Sequence, residues 1–229
     1  MAPEQYKSKT TLAREAIEQA IRDGLYASGA RFNVRQLAKD LNMSITPVRE
    51  ALRILQANGL VSYDEHRSIS ATELTPVDVD EIYTLRSMLE GLAAEWAAQR
   101  RTDEELELMK KAHKRMITAV QENDDVSAKK ANRDWHFAVY YAAHTSFLVG
   151  IISRIWTRVE WNSIWGAPGR IGKSVREHGE ITEAIVKGDS ALAGQLMRGH
   201  LFGGRAVVKE IQSASGGSSG DDTSQAYWA

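Results

Sequence analysis

The 229-residue sequence contains no cysteine, which excludes disulfides, thiolate metal ligands and a cysteine nucleophile. It also lacks any run of the roughly 20 apolar residues that a membrane-spanning helix needs. The opening segment MAPEQYKSKTTLAREAIEQA has no apolar stretch of the signal-peptide kind. The expectation from these absences is a cytoplasmic protein with no membrane partner. Nor is there an excess of charge. The 29 basic and 30 acidic side chains give a formal net charge of −1, which by itself speaks weakly against nucleic-acid binding. There is no H-E-x-x-H pair and no carboxylate placed to work with a metal-bound water, so a helical metal-dependent hydrolase or lyase is disfavoured.

What is present suits two domains of an ordinary soluble protein, with 43% hydrophobic and 26% charged residues. Leu12, Ala16, Ile17, Ala20, Ile21 and Leu25 recur at helical spacing over 9–27. A short helix over 34–41 follows, then a turn at Asn42-Met43 and a helix from Ser44 or Thr46 to about Ala57, closed by Asn58-Gly59. Pro47 falls in the first turn, where its missing N–H is no loss. Leu60–Asp64 and Ile69–Thr72 read as two short strands. Beyond Leu74 only helices are expected, at 76–99, 102–122, 125–143, 145–165, 170–187 and 189–211. Thr75 and Pro76 open the first of them, with Ile82, Leu85, Leu89, Leu92 and Trp96 as its core stripe. Thr102 and Glu105 form a capping box for the second, and Phe147, Leu148, Ile151, Ile152, Ile155 and Val159 line the fourth. The fold class is therefore mainly α. A winged helix-turn-helix with a small β-hairpin occupies 1–74, an all-α bundle 75–212, and a Gly/Ser-rich disordered tail 213–229.

Charge is unevenly spread. Residues 31–53 hold five bases (Arg31, Arg35, Lys39, Arg49, Arg53) against two acids (Asp40, Glu50), a local balance that suits phosphate as well as it suits a solvated helix face. In the helix from Ser44, the side opposite the apolar stripe carries Ile45, Thr46, Arg49, Arg53 and Gln56. Arginine can grip guanine with two hydrogen bonds, and serine or threonine hydroxyls serve bases or phosphates. Arg35 is placed to reach the same groove, with His66 and Arg67 at the hairpin tip for the neighbouring minor groove or backbone. A helical hairpin with ordinary surface arginines is the alternative.

The run GLYASGARFNVRQLAKDLNMSITPVREALRILQANGLV resembles the N-terminal domain of GntR-type transcription regulators. The resemblance implies that Arg35, Ser44, Thr46 and Arg49 contact DNA. A single recognition helix reads too few base pairs for tight specificity, so a homodimer on an inverted-repeat operator is expected, acting as a repressor. Ile45 stands where the family often has arginine, and Ser68 where the wing often has glycine.

In the second half, Asn132 and His136 share one helical face, and His178 and His200 fall on the inward stripes of two further helices. Clustered imidazoles suit zinc, nickel or another borderline divalent ion, although a histidine taken singly is more often a satisfied core or boundary residue. His113, on a stripe with Leu106, Met109 and Met116, shows how such a pattern arises without a ligand role. LRSMLE at 85–90, N-x-x-x-H at 132–136, EH at 177–178, AIVKGD at 184–189 and MRGHL resemble the FCD ligand-binding domain of FadR-subfamily regulators. That resemblance implies a divalent metal, zinc foremost with nickel or manganese as alternatives, held by Asn132, His136, His178 and His200. It also implies a small organic-acid effector completing the shell. Arg86 is open to two uses, as a carboxylate clamp for the effector or as an i,i+4 partner of Glu90. Trp156, Trp161 and Trp165 are open to core packing, a dimer surface or a pocket wall.

Overall fold

The computed structural model describes residues 7–22, 25–26, 29–64, 68–158, 167 and 169–215. The chain divides into two compact units, with the change falling between Thr75 and Pro76.

The first unit runs α1 (Lys9–Arg22), α2 (Val34–Asp40), α3 (Ile45–Ala57), β1 (Val61–Tyr63) and β2 (Ile69–Ala71). The side chain of Asn33 starts α2 by accepting from the N–H groups of Arg35 and Gln36. Ser44 takes the capping position of α3 in an extended conformation, but its hydroxyl makes no capping bond. Gly59, at φ +73°, ends that helix in the left-handed conformation that glycine adopts without strain. Val48, Ala51, Leu52 and Leu55 of α3 pack with Ala13 and Ile17 of α1, Leu37 of α2, and Val61, Ile69 and Ala71 of the strands. The strands are antiparallel, with Val61 opposite Ala71 and Tyr63 opposite Ile69. A pairing not foreseen from the sequence adds Arg31 opposite Ser70, with Phe32 N–H donating to the Ile69 carbonyl. It spans too few residues to leave an alternating pattern. Helix α1 stops at Arg22, earlier than its apolar spacing suggests, and Leu12 is 42% exposed.

The second unit is helical: α4 (Pro76–Arg100), α5 (Asp103–Gln121), α6 (Asp125–Tyr141), α7 (Ser146–Trp156), α8 (Arg170–Lys187) and α9 (Ser190–Ser215). The capping box at the start of α5 forms as read from the sequence, with Thr102 N–H donating to Glu105 at 2.8 Å and Glu105 N–H to Thr102 Oγ1 at 3.2 Å. α4 packs against α6, α7, α8 and α9, so the unit is built around it. Its approach to α9 depends on small residues: a Cβ at Gly194 would stand 2.4 Å from Glu95 Cγ, and one at Gly91 2.8 Å from Arg198 Cγ.

That close packing corrects the stripe expected for α4. Leu85 is 50% exposed, while the buried face is Ile82, Tyr83, Arg86, Ser87, Glu90, Gly91 and four alanines. The largest apolar side chains do not mark the inside where the partner helix demands small ones. For the same reason of packing rather than spacing, Phe147 on α7 is 81% exposed and Leu192 on α9 is 39% exposed. α7 ends at Trp156, short of the expected 165, and Val159, Trp161 and Trp165 lie outside the described residues. α9 continues to Ser215, past the expected start of the tail, and 216–229 also lie outside them. No described helix is long and apolar enough to cross a membrane.

Candidate metal centre and nucleic-acid interface

On the first unit, Ser44, Ile45, Thr46, Arg49, Arg53 and Gln56 are all exposed along one side of α3, and Arg35 is exposed near the start of α2. The face opposite the apolar stripe is thus the solvent face, as read from the sequence. Its acidic member, Glu50, accepts a hydrogen bond from Thr10 Oγ1 at 2.8 Å, which ties α1 to α3. At the base of the wing, Ser68 N–H donates to Asp64 Oδ1 at 2.7 Å and Asp64 N–H to the Ser68 carbonyl at 3.0 Å. His66 and Arg67 lie outside the described residues.

In the second unit, His136 of α6, His178 of α8 and His200 of α9 meet with one ligand nitrogen from each within 4.8 Å of the others. All three are buried, at 1%, 0% and 7% exposure. Asn132, one turn before His136 on the same helix, is buried as well. Hydrogen bonds fix which nitrogens are available. Tyr140 has one proton and donates it to Glu90, so its oxygen accepts from His136 Nδ1–H at 2.9 Å. The lone pair of His136 is therefore on Nε2. Glu177 accepts from His200 Nδ1–H at 2.7 Å, which places that lone pair on Nε2 also. His200 Nε2 stands 3.3 Å from His178 Nε2.

The His178 ring is held from two sides. Trp135 stacks on it at 3.8 Å between centroids, Trp135 Nε1–H donates to Thr182 Oγ1, and the Thr182 hydroxyl donates to the His178 carbonyl. Its Nδ1 is buried with no hydrogen-bond partner among the described residues. In either neutral tautomer one polar atom of this ring lacks a partner, the mark of a site that accommodates an ion or ligand.

Burial first, and then the surrounding positive groups, hold His136 and His178 well below the usual histidine range. Burial also lowers His200, against the pull of Glu177. All three are neutral near pH 7, as ligation requires. Burial works to raise the Glu177 carboxyl, but hydrogen bonds from His200 and Arg170 outweigh it and bring it down to about 2.

Above the triad lies a buried charged network. Arg86 Nε–H donates to Glu90 Oε1 at 2.7 Å, and Trp156 Nε1–H donates to the same oxygen at 3.1 Å. The i,i+4 pairing of Arg86 with Glu90 is thus made, inside the protein and beside the histidines. Trp156 forms part of the wall, its ring 5.0 Å from that of His136. Glu90, Tyr140, Trp135, Thr182 and Glu177 orient the triad, and none of these roles is visible in the sequence. The one signal available was Glu177 beside His178. His113, by contrast, bonds the Val175 carbonyl at 2.8 Å and stands apart from the cluster.

The buried triad can hold a metal ion. Zinc–nitrogen distances of about 2.0–2.1 Å put two ligands of a tetrahedral ion roughly 3.3–3.4 Å apart, which the 3.3 Å between His178 and His200 matches. Three neutral imidazoles, two of them with Nδ1 partners already in place, form a ligand set typical of borderline divalent ions.

The family model of the bacterial regulatory proteins of the gntR family matches residues 9–70, and that of the FCD domain matches 81–203. The HTH-type transcriptional regulator YdhC of Bacillus subtilis is 30% identical over 187 residues, covering 80% of this chain and 84% of its own. A protein of Paenarthrobacter nicotinovorans named as a probable D-xylose utilization operon transcriptional repressor is 28% identical, covering 85% of this chain and 87% of its own. Among solved structures, Escherichia coli McbR/YncC superposes with a TM-score of 0.80 at 23% identity, over 90% of this chain and all of that one. The chain belongs to the GntR family of bacterial regulatory proteins, with an FCD domain as its second half. It is a DNA-binding transcriptional regulator, and its relatives are regulators, not enzymes.

Proposed function

We propose that the protein is a homodimeric repressor whose grip on an inverted-repeat operator is modulated by a small carboxylate bound at a metal centre in the FCD domain. Residues 1–74 bind DNA in this reading and 75–212 sense the effector and dimerise. The observation that carries it is the buried, pre-oriented triad of His136, His178 and His200. Two of the three rings, those of His136 and His200, are held by their partners with the lone pair on Nε2.

On the DNA side, Arg49 and Arg53 supply base or phosphate contacts, Arg35 reaches the same groove, and the uncapping hydroxyl of Ser44 and that of Thr46 serve phosphates. Ile45 is suited to a thymine methyl, and His66 and Arg67 are assigned to the wing contact. Two copies on a two-fold axis double the base pairs read. Repression is supported by the description of the Paenarthrobacter relative.

On the sensing side, Asn132, His136, His178 and His200 hold the ion, zinc foremost. An amide and three neutral imidazoles leave its charge uncompensated, which favours an anion in the remaining coordination positions. Tyr140 and Glu177 keep the Nδ1 protons of His136 and His200 in place, so that each offers Nε2. Arg86, fixed by its ion pair with Glu90 beside the histidines, is the side chain assigned to the effector carboxylate.

The test is elemental analysis of untagged protein after incubation with zinc, nickel or manganese, paired with operator binding by wild type and His178→Ala. The reading expects about one metal per chain in the wild type, none in the variant, and DNA binding in both. Wild-type protein that stays metal-free makes the triad structural and ends the sensing mechanism.

A further inference from the structure

The α5–α6 pair carries a basic groove that neither the metal centre nor the α3 face uses. It is open, with a volume of about 460 Å³, and is lined by Lys111, Lys114, Arg115 and Thr118 of α5 and by Lys130 of α6. Elsewhere in this unit lysines stand beside acids: Lys110 is 2.7 Å from Glu107, Lys187 is 2.7 Å from Glu183 and Lys209 is 2.9 Å from Asp80. Lys111, Lys114 and Lys130 are exposed and make no ion pair or hydrogen bond among the described residues.

The acids of the groove do not cancel these charges. Against four cations the lining has two carboxylates, Glu122 and Asp124. Asp124 caps α6 and is engaged by Ser127, whose N–H donates to it at 3.0 Å and whose hydroxyl donates to it as well. Arg115 is held by Asp134, at 2.9 Å. Three lysines therefore share the groove with one uncommitted acid, Glu122. Like charges gathered around a concave surface hold a positive potential there that draws anions in.

We infer that this groove binds a compact polyphosphate anion, inorganic or the phosphate arm of a nucleotide, and that it does so independently of the metal centre. Three features select the class. Ammonium groups act as point charges and suit phosphate, whereas a planar carboxylate is matched by a guanidinium fork. The one fork in the lining, that of Arg115, is already taken by Asp134. The apolar part of the lining is Ala119 and Ala131, so no ring is offered on which a nucleotide base could stack. The volume falls within the range of about 300–1,000 Å³ common to small-ligand sites.

The experiment is calorimetric titration of the full-length protein with tripolyphosphate, ATP and citrate at about 0.15 M salt, where distant exposed charges are screened. Citrate supplies comparable charge without phosphate. The expected result is saturable binding of about one tripolyphosphate per chain, roughly tenfold or more tighter than citrate. Lys111→Ala/Lys130→Ala should weaken it by about tenfold or more, the worth of charge-assisted bonds to exposed lysines, and leave operator affinity and melting temperature unchanged. Arg49→Ala/Arg53→Ala and His178→Ala should bind tripolyphosphate as wild type does, which separates the groove from the α3 face and from the metal centre. ATP that binds as tightly as tripolyphosphate assigns the phosphate arm of a nucleotide, and weaker ATP binding assigns the inorganic chain; both uphold the groove. No saturable binding, citrate that binds as tightly, affinity untouched by the lysine substitutions, or an equal loss in either of the other two variants overturns the inference.

Discussion

The two units solve opposite problems. In the first, the core is apolar apart from Glu18, which pairs with Arg14, with Leu52, Leu55 and Val48 at its centre, and the polar groups of interest stand in solvent on α3. In the second, the interior holds Arg86, Glu90, His136, His178, Arg170 and His200, while Leu85, Met88 and Phe147 face outward. A surface that reads DNA can be altered without touching stability. A sensing site built inside the bundle cannot, because the groups that would bind a ligand are also groups whose burial must be compensated.

The sharpest way to break that contrast is to remove one member of the buried network. Arg86→Ala leaves Glu90 buried without its cation and should destabilise the protein by about 3–5 kcal/mol, measured by chemical denaturation. A loss under 1 kcal/mol would show that the network is not structural. In the first unit the equivalent loss comes from an apolar side chain. Leu52→Ala should remove about 2–5 kcal/mol by leaving a cavity, and operator affinity should fall with it. On the outer face the coupling should vanish. Arg49→Ala should weaken specific operator binding by about 1–3 kcal/mol with no change in melting temperature. Equal weakening on a scrambled duplex would make Arg49 a phosphate contact only.

Acidification should also separate the units. His136, His178 and His200 are lowered by burial, so below the usual histidine value of 6.5 the unfolded chain takes up protons that the folded chain refuses. Their contribution is whole above that pH and is lost as pH falls toward the folded values. Glu177, at about 2 when folded, adds to the loss only below about 4.5. Metal-free protein should therefore melt at progressively lower temperature from pH 7 to 5, with a shallower slope in His178→Ala. Identical slopes would refute the assignment. The smallest effect is expected at the C-terminus. Truncation after Ser215 should leave operator affinity and melting temperature unchanged, and a marked drop in either would show that the segment is needed.

The comparison marks where a sequence is legible. Signals carried within a few residues were enough for the capping box at Thr102, the Asn58-Gly59 stop, the hairpin, and the exposed side of α3 from Ser44 to Gln56. Asn132 and His136 on one face followed from spacing alone, and the convergence of three histidines followed once the family resemblance set their roles. Tertiary structure decided the rest. It turned α4 so that alanines, Arg86 and Glu90 face inward instead of Leu85, because helix spacing gives a period but the neighbouring α9 sets its phase. It joined Tyr140 to Glu90 across 50 residues and Arg170 to His200 across 30, fixing the Nδ1 partner of His136 and the surroundings of His200. Such pairings depend on which helices touch, a property of the folded chain that no local spacing encodes.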